Sequence, residues 1–195
     1  VGSEMCIRDR VHLIGLLPAV LAPEQFEAYA TALHSSPWLP VVESGLLLLA
    51  VVHISLTMAK AMANRRAGNT ATLRSRRQSP LAALASRSTV VAGLVTLGFL
   101  VMHLRQLRWS RPAAGEEAAA LIQVLQQPWN AVLYAAAAVA LALHLLHGAE
   151  AAHRSLGWLT PANSSVLRAG AGVLAALIGG GFLTISVLLA LGGVA

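Results

Sequence analysis

Four histidines are the residues whose type and spacing could do chemistry in this chain. His12, His53, His103 and His144 each fall in a different apolar run, at intervals of 41, 50 and 41 residues. An ionisable side chain inside a bilayer is costly, so its presence points to a function. A single membrane histidine is explained as well by a hydrogen bond between helices, worth about 1 kcal/mol. Four of them, one in each run, predict a shared task.

The composition requires that membrane helices hold these histidines. Of the 195 residues, 56% are hydrophobic and only 11% are charged, and the mean hydropathy is +0.67. A soluble domain carries about 25% charged residues, so an ordinary cytosolic enzyme, a disordered tail and a secreted disulfide scaffold are excluded. The basic residues lie beside apolar runs and aromatic residues are few, which argues against nucleic-acid binding. The single cysteine, Cys6, excludes an intrachain disulfide and a CxxC metal site.

The apolar runs predict an all-α fold, a bundle of five transmembrane helices. A spanning helix needs about 20 apolar residues, and the predicted spans are about 11–22, 40–62, 88–107, 129–149 and 169–193. The first span is truncated and contains Pro18. Residues 1–10 hold four of the 22 charges and are interpreted as a non-native leader. Residues 11–195 then form a single transmembrane domain.

The distribution of basic residues predicts the orientation of the bundle. Three lie in outer loops (Arg105, Arg108 and Arg111), and nine lie at inner positions (Lys60, Arg65, Arg66, Arg74, Arg76, Arg77, Arg87, Arg154 and Arg168). By the positive-inside rule the N-terminus is inside and the C-terminus outside. The outer connections, 24–36 and 116–127, are predicted to be short amphipathic helices on the membrane surface. His34, in the first of them, is expected to be exposed.

The histidines fall at two depths when each is measured from the end of its span. At a rise of about 1.5 Å per residue, His53 and His144 lie near the inner side, and His12 and His103 lie near the outer side. Two histidines at one depth can bind both faces of one haem iron, and bis-histidine ligation favours electron transfer because it leaves no open position. The pattern therefore predicts two stacked haems about 15 Å apart, held between the first four helices.

Several stretches around these histidines resemble one family of membrane cytochromes. The stretches are HLIG from His12, FEAY from Phe26, LPVVESGLLLLAVVH up to His53, GLVTLGFLVMH up to His103, and HLLHGAEAAHRSLGW from His144. In the last, a histidine is followed three residues later by His-Gly and then by a Ser-Leu-Gly turn. Together they resemble the di-haem cytochrome b anchor subunit of succinate dehydrogenase and fumarate reductase. The resemblance covers residues 11–195 and departs from the family in the truncated first helix.

The resemblance implies a role in electron transport of the tricarboxylic acid cycle. It implies two haem b groups, one bound by His12 and His103 and the other by His53 and His144. Such a subunit anchors an iron–sulfur subunit and a flavoprotein subunit to the inner face of the bacterial cytoplasmic membrane. It exchanges electrons with quinone, here menaquinone. The chain has no dinucleotide fingerprint or cysteine cluster, so no dehydrogenase chemistry of its own is expected.

Three further residues are candidates for this function. Glu43, near the outer start of its span, could relay a proton to quinone, or it could cap a helix and face water. Arg87 could neutralise a haem propionate with its guanidinium group, or it could serve only as a topology-determining arginine. His147 lies one turn beyond His144 and could bond an inner propionate or replace His144 as a ligand.

Two other readings remain open at this point. One is another di-haem quinone cytochrome, such as the membrane subunit of a nitrate reductase or a formate dehydrogenase. These proteins distribute their histidines differently over the helices. The other is a haem-free transporter or scaffold, whose histidines pack between helices or carry protons. A haem absorbance spectrum distinguishes this last reading from the others.

Overall fold

The computed structural model describes the backbone of residues 2–68 and 79–192 and the side chains of residues 9–68 and 79–192. All regular elements in these ranges are helices. In chain order they are α1 (Gly2–Leu16), α2 (Pro18–Leu21), α3 (Pro23–Ser35), α4 (Leu39–Arg66), α5 (Pro80–His103), a π-helical segment (Leu104–Trp109), α6 (Glu117–Gln126), α7 (Pro128–Ser155) and α8 (Ser164–Ala190). The fold of the described residues is therefore all-α, as the sequence predicts.

Four helical stretches are long and apolar enough to cross a membrane. They are α4, α5 together with the π-helical segment, α7 and α8. The 15 residues of α1 are fewer than a spanning helix needs. The structure thus supports a multi-pass helical membrane protein with four candidate spans, where the sequence predicts five.

Three of the four spanning stretches extend at both ends beyond the apolar segments that predict them, whereas α8 begins before its predicted span and ends at Ala190, short of residue 193. The predicted span 88–107 begins as a helix at Pro80, because Ser79 accepts a hydrogen bond from the Ala82 N–H and proline suits the first helical position. At their C-terminal ends, α4 and α7 are followed by Gly68 and Gly157, each with φ +73°, a conformation that favours glycine. Hydropathy marks the part of a helix that lies in lipid, whereas caps set where the helix ends.

The predicted first span, 11–22, is divided between two helices. α1 ends at Leu16 and α2 begins at Pro18, because proline has no N–H to continue the helical hydrogen bonds. The backbone of the proposed leader is helical from residue 2 and continues into α1, but its side chains up to residue 8, including Cys6, lie outside the described residues. Arg74, Arg76 and Arg77 of the inner loop lie outside them as well. Helices are present at both expected connections, 24–36 and 116–127, as α3 and α6, and their position on the membrane surface stays a prediction.

The centre of the bundle is α7, which packs most extensively against α8 and α5. Glycine permits this approach, since a Cβ at Gly179 of α8 would lie 2.5 Å from the Cβ of Ala142. At Gly181 a Cβ would lie 2.7 Å from the side chain of Leu13 in α1. Both glycines therefore act as small packing residues. By contrast α4 has no buried residue and its closest backbone contacts are with α3, so its backbone stands apart from those of α5 and α7.

Candidate functional site

The four intramembrane histidines lie in two pairs of neighbouring rings. The centroids of His12 and His103 are 5.9 Å apart with an interplanar angle of 80°. Those of His53 and His144 are 6.0 Å apart at 77°. The first pair joins α1 to α5 and the second joins α4 to α7. These are the pairs named from the sequence, and each brings together two imidazoles that could bind one metal ion from opposite sides.

The separation of the two pairs can be measured along α5. Gly93 lies against the ring of His144, since a Cβ there would be 3.4 Å from Cε1. His103 follows on the same helix ten residues later, which corresponds to about 15 Å of axial rise. The pairs therefore occupy two levels of the bundle, as the depth estimate from the sequence predicts.

Aromatic side chains surround the outer pair. Phe99 stacks on the ring of His103 with centroids 5.4 Å apart, and Phe182 of α8 lies 5.7 Å from the ring of His12. Tyr134 of α7 packs edge-on against Phe99 at 4.8 Å. Its hydroxyl lies 3.2 Å from Nδ1 of His103. Apolar rings thus enclose the pair on α5, α7 and α8, and one hydroxyl reaches a histidine nitrogen.

A chain of side-chain hydrogen bonds continues from Tyr134. The Tyr134 hydroxyl donates to Oε1 of Gln106 at 3.1 Å, and Nε2 of Gln106 donates to Oδ1 of Asn130 at 2.9 Å. Nδ2 of Asn130 donates to the backbone carbonyl of Val124 at 3.0 Å. Sequence analysis missed these residues. The available signal was the i, i+4 spacing of Asn130 and Tyr134 in an apolar run, which places both on one face of α7.

The inner pair has a different environment. His53 and His144 are half-buried, and within the described part of the chain no hydrogen bond satisfies the buried Nδ1 of His144. A buried polar atom of this kind calls for an explanation, such as a bound water or ion. His147 is half-buried one turn further along α7. Arg87 is exposed on α5 six residues before Gly93, about 9 Å further toward the predicted inner end of the helix.

Glu43 forms an ion pair that sequence analysis did not foresee. Its two carboxylate oxygens accept hydrogen bonds from Nε and Nη2 of Arg108 at 2.5 Å and 2.9 Å. The side chains remain 37% and 35% exposed, respectively. This two-point geometry is specific to arginine and ties α4 to the π-helical segment. Proton relay by Glu43 stays a prediction, and it would require this ion pair to open.

A carboxylate cluster links α3 and α6. Glu27 of α3 caps α6, because its carboxylate accepts hydrogen bonds from the backbone N–H groups of Glu117 at 3.1 Å and Ala118 at 2.7 Å. Nδ1 of His34 lies 3.5 Å from Oε1 of Glu117. His34 is half-buried, so the expectation of an exposed residue was wrong. α6 packs against α3 and covers this side chain, a contact that sequence spacing does not reveal.

The two carboxyl groups of this cluster have opposite pKa shifts. Burial raises the pKa of Glu27, and its bond to the Glu117 carboxylate raises it further. Burial opposes the shift of Glu117, but the hydrogen bonds from Glu27 and from the Gly115 N–H lower the pKa of Glu117. On acidification Glu27 is therefore protonated before Glu117, and Glu117 keeps its negative charge to lower pH.

Comparison with family models, with curated proteins and with solved structures finds no match for this chain. The class of protein is therefore argued from the fold and from the geometry of the site. They describe an all-helical membrane protein that holds two pairs of facing histidines between its helices, at two levels of the bundle.

Proposed function

We propose that this chain is a membrane cytochrome b that binds two haems, one between His12 and His103 and one between His53 and His144. In this proposal it is the anchor of a succinate:quinone oxidoreductase and carries electrons between an iron–sulfur subunit and quinone. The observation that carries the proposal is the pair of ring separations, 5.9 Å and 6.0 Å, at two levels.

These separations fit bis-histidine ligation of iron. Bonds between a metal and an imidazole nitrogen are about 2 Å long, so two imidazoles on opposite faces of one iron have centroids about 6 Å apart. The described residues contain no group of three or more histidine, cysteine, aspartate or glutamate side chains that could hold a metal ion. Haem needs only two protein ligands, because its macrocycle supplies the other four nitrogens.

The helix packing also fits a flat cofactor between the paired histidines. Among the described residues, neither α1 with α5 nor α4 with α7 is one of the closely packed helix pairs. Each of these pairs is joined by its histidine rings while the backbones stay further apart. A macrocycle needs this arrangement, since it must lie between the two helices that carry its ligands. Two observations agree with such a space between the helices. No residue of α4 is buried, and no hydrogen bond satisfies the buried Nδ1 of His144 among the described residues.

The remaining candidate residues have defined tasks in this proposal. Arg87 and His147 lie beyond the His53–His144 pair toward the predicted inner side. There Arg87 would neutralise a haem propionate, and His147 would bond one or replace His144 as a ligand. Glu43 would exchange a proton with quinone when its ion pair with Arg108 opens. The haem, when bound, supplies one-electron chemistry at its iron, while the protein residues hold it, orient it and exclude water.

The rest of the assembly follows from the same proposal. The N-terminus faces inward, α1 contributes the first of five spans, and the basic inner loops contact the iron–sulfur subunit. That subunit connects to the flavoprotein subunit, where succinate is oxidised. Menaquinone is the expected quinone, and the membrane is the bacterial cytoplasmic membrane.

The first test is a dithionite-reduced minus oxidised spectrum with pyridine-haemochrome quantification on the purified full chain. Two b haems per chain are expected, and a His34→Ala variant should retain both because His34 lies on α3 and belongs to neither histidine pair. No haem in a folded sample from haem-supplied cells would overturn the proposal in favour of a haem-free transporter or scaffold. One haem would reject the di-haem assignment.

A further inference from the structure

The hydrogen-bond chain that begins at His103 ends at a backbone carbonyl, a group that can only accept hydrogen bonds. Its last acceptor is the carbonyl of Val124, in the final turn of α6. The last four carbonyls of a helix have no partner within the helix. Asn130, in the first turn of α7 after Pro128, supplies the missing donor. The chain therefore has a direction that can be read from its end.

Reading backwards from Val124 assigns every donor. A carbonyl only accepts, so Asn130 must turn its amide nitrogen toward Val124 and its oxygen toward Nε2 of Gln106. Gln106 then presents its oxygen to Tyr134. The Tyr134 hydroxyl has one proton, which it donates to Gln106, so its oxygen can only accept from Nδ1 of His103.

We infer that Tyr134, Gln106 and Asn130 fix His103 as the Nδ1–H tautomer and so present its Nε2 as the ligating nitrogen of the outer pair. The proton position in a histidine is set by the hydrogen bond that the other nitrogen makes. The tautomer assignment stands on the hydrogen bonds alone. Its consequence for a bound haem rests on the proposed function.

The π-helical segment is what places Gln106 in this chain. The segment begins directly after His103, and π-helical turns occur frequently at functional sites. Its wider turn changes the direction in which the side chains after His103 point. Gln106 thereby reaches both Tyr134 and Asn130, while Arg108 reaches Glu43. Tyr134 is only 7% exposed, so water does not replace its bond to His103.

The hydrogen-bond chain from His103 through Tyr134, Gln106 and Asn130 to Val124 forms a relay. This relay makes the two histidine pairs chemically unequal. A ring N–H that donates to an acceptor orients a metal-bound histidine and increases the basicity of its ligating nitrogen. His103 has this support from the Tyr134 hydroxyl, whereas in the described residues no side-chain group bonds Nδ1 of His144. A more basic ligand stabilises the oxidised iron. The outer haem is therefore expected to have its reduction potential lowered by the relay.

The test is a redox titration of Tyr134→Phe with Tyr29→Phe as the matched control. Phenylalanine keeps the ring contact with Phe99 and removes only the hydroxyl. Tyr29, the chain's other tyrosine, packs on Gly15. We expect an upward shift in the outer-haem potential of Tyr134→Phe, no shift in the inner haem, two haems in both variants and no change in Tyr29→Phe. An unchanged reduction potential of the outer haem, or an equal shift in both haems, would overturn the role of Tyr134 in lowering the outer-haem potential.

A second measurement separates this inference from the proposed function. In the chain labelled with ¹⁵N-histidine, the signals of His103 are those lost in His103→Ala. The nitrogen shifts should report a proton on Nδ1, and in haem-free protein Tyr134→Phe should move the signal toward a mixture of tautomers. A wild-type chain that binds no haem but has this signature refutes the haem assignment and keeps the relay. A proton on Nε2 of His103 refutes the relay.

Discussion

Gly93 of α5 lies against the imidazole of His144 of α7, and a Cβ at this glycine would be 3.4 Å from Cε1 of the ring. That distance is ordinary for a single methyl group but leaves no room for a branched side chain. The glycine therefore sets how closely His144 can approach α5, and so where the ring stands relative to His53.

A valine at position 93 is expected to displace His144 and reduce binding of the inner haem. Gly93→Val adds a Cβ and two methyl groups beyond it beside the ring. Gly98→Val is the matched control, since it lies on the same helix and nothing is within 4 Å of its added Cβ. Haem content per purified chain checks this, with wild-type content expected in the control. Equal haem content in the two variants would contradict the role of Gly93.

The pairing of ligands predicts a specific pattern of haem loss. His53→Ala and His144→Ala should each remove the same inner haem, because bis-histidine ligation needs both rings. Each variant should keep most of the outer signal in a reduced minus oxidised spectrum. His34→Ala serves as the control for the loss of a histidine that belongs to neither pair. The loss of different haems from the first two variants would refute the pairing.

The ion pair of Glu43 and Arg108 is expected to stabilise the attachment of α4 modestly. Both side chains are about one-third exposed, so solvent screening limits the gain to about 1 kcal/mol. A double-mutant cycle with Glu43→Gln and Arg108→Gln, measured by unfolding in mixed micelles, gives the coupling energy. A value near zero would show that α4 is positioned without this ion pair.

The raised pKa of Glu27 predicts a decline in stability as the pH rises above the ordinary range of a glutamate. The pKa of Glu27 is raised above the ordinary 4.5 of a glutamate, so the folded chain binds its proton more tightly than the unfolded chain. The resulting stabilisation is complete below that ordinary value and is lost as the pH rises through the raised value. The lowered pKa of Glu117 acts in the opposite sense, and its stabilisation is lost as the pH falls below 4.5.

Glu27→Gln should therefore flatten the loss of stability above pH 4.5, because a glutamine cannot ionise. Thermal unfolding in detergent as a function of pH measures this. Glu24→Gln is the control, since Glu24 is exposed on the same helix. An unchanged pH profile for Glu27→Gln would mean that the proton is not held at this position.

Composition and spacing determined the coarse architecture. Few charges and long apolar runs require membrane helices, and the helical rise converts positions along the chain into depths. From these alone His12 and His103, and likewise His53 and His144, were expected at common levels, and the structure brings their rings together. The helical conformation of α3 and α6 was also foreseen, because their amphipathic segments lie between apolar runs. The fifth span and the haems stay predictions.

Only the tertiary structure decided which polar side chains meet. Depth along a helix says nothing about the face from which a side chain projects, and the π-helical turn after His103 changes that face for Gln106 and Arg108. The bonds to Tyr134 and Glu43 therefore could not be derived from spacing. They depend on the rotation of each helix about its axis, which is set by packing among several helices at once.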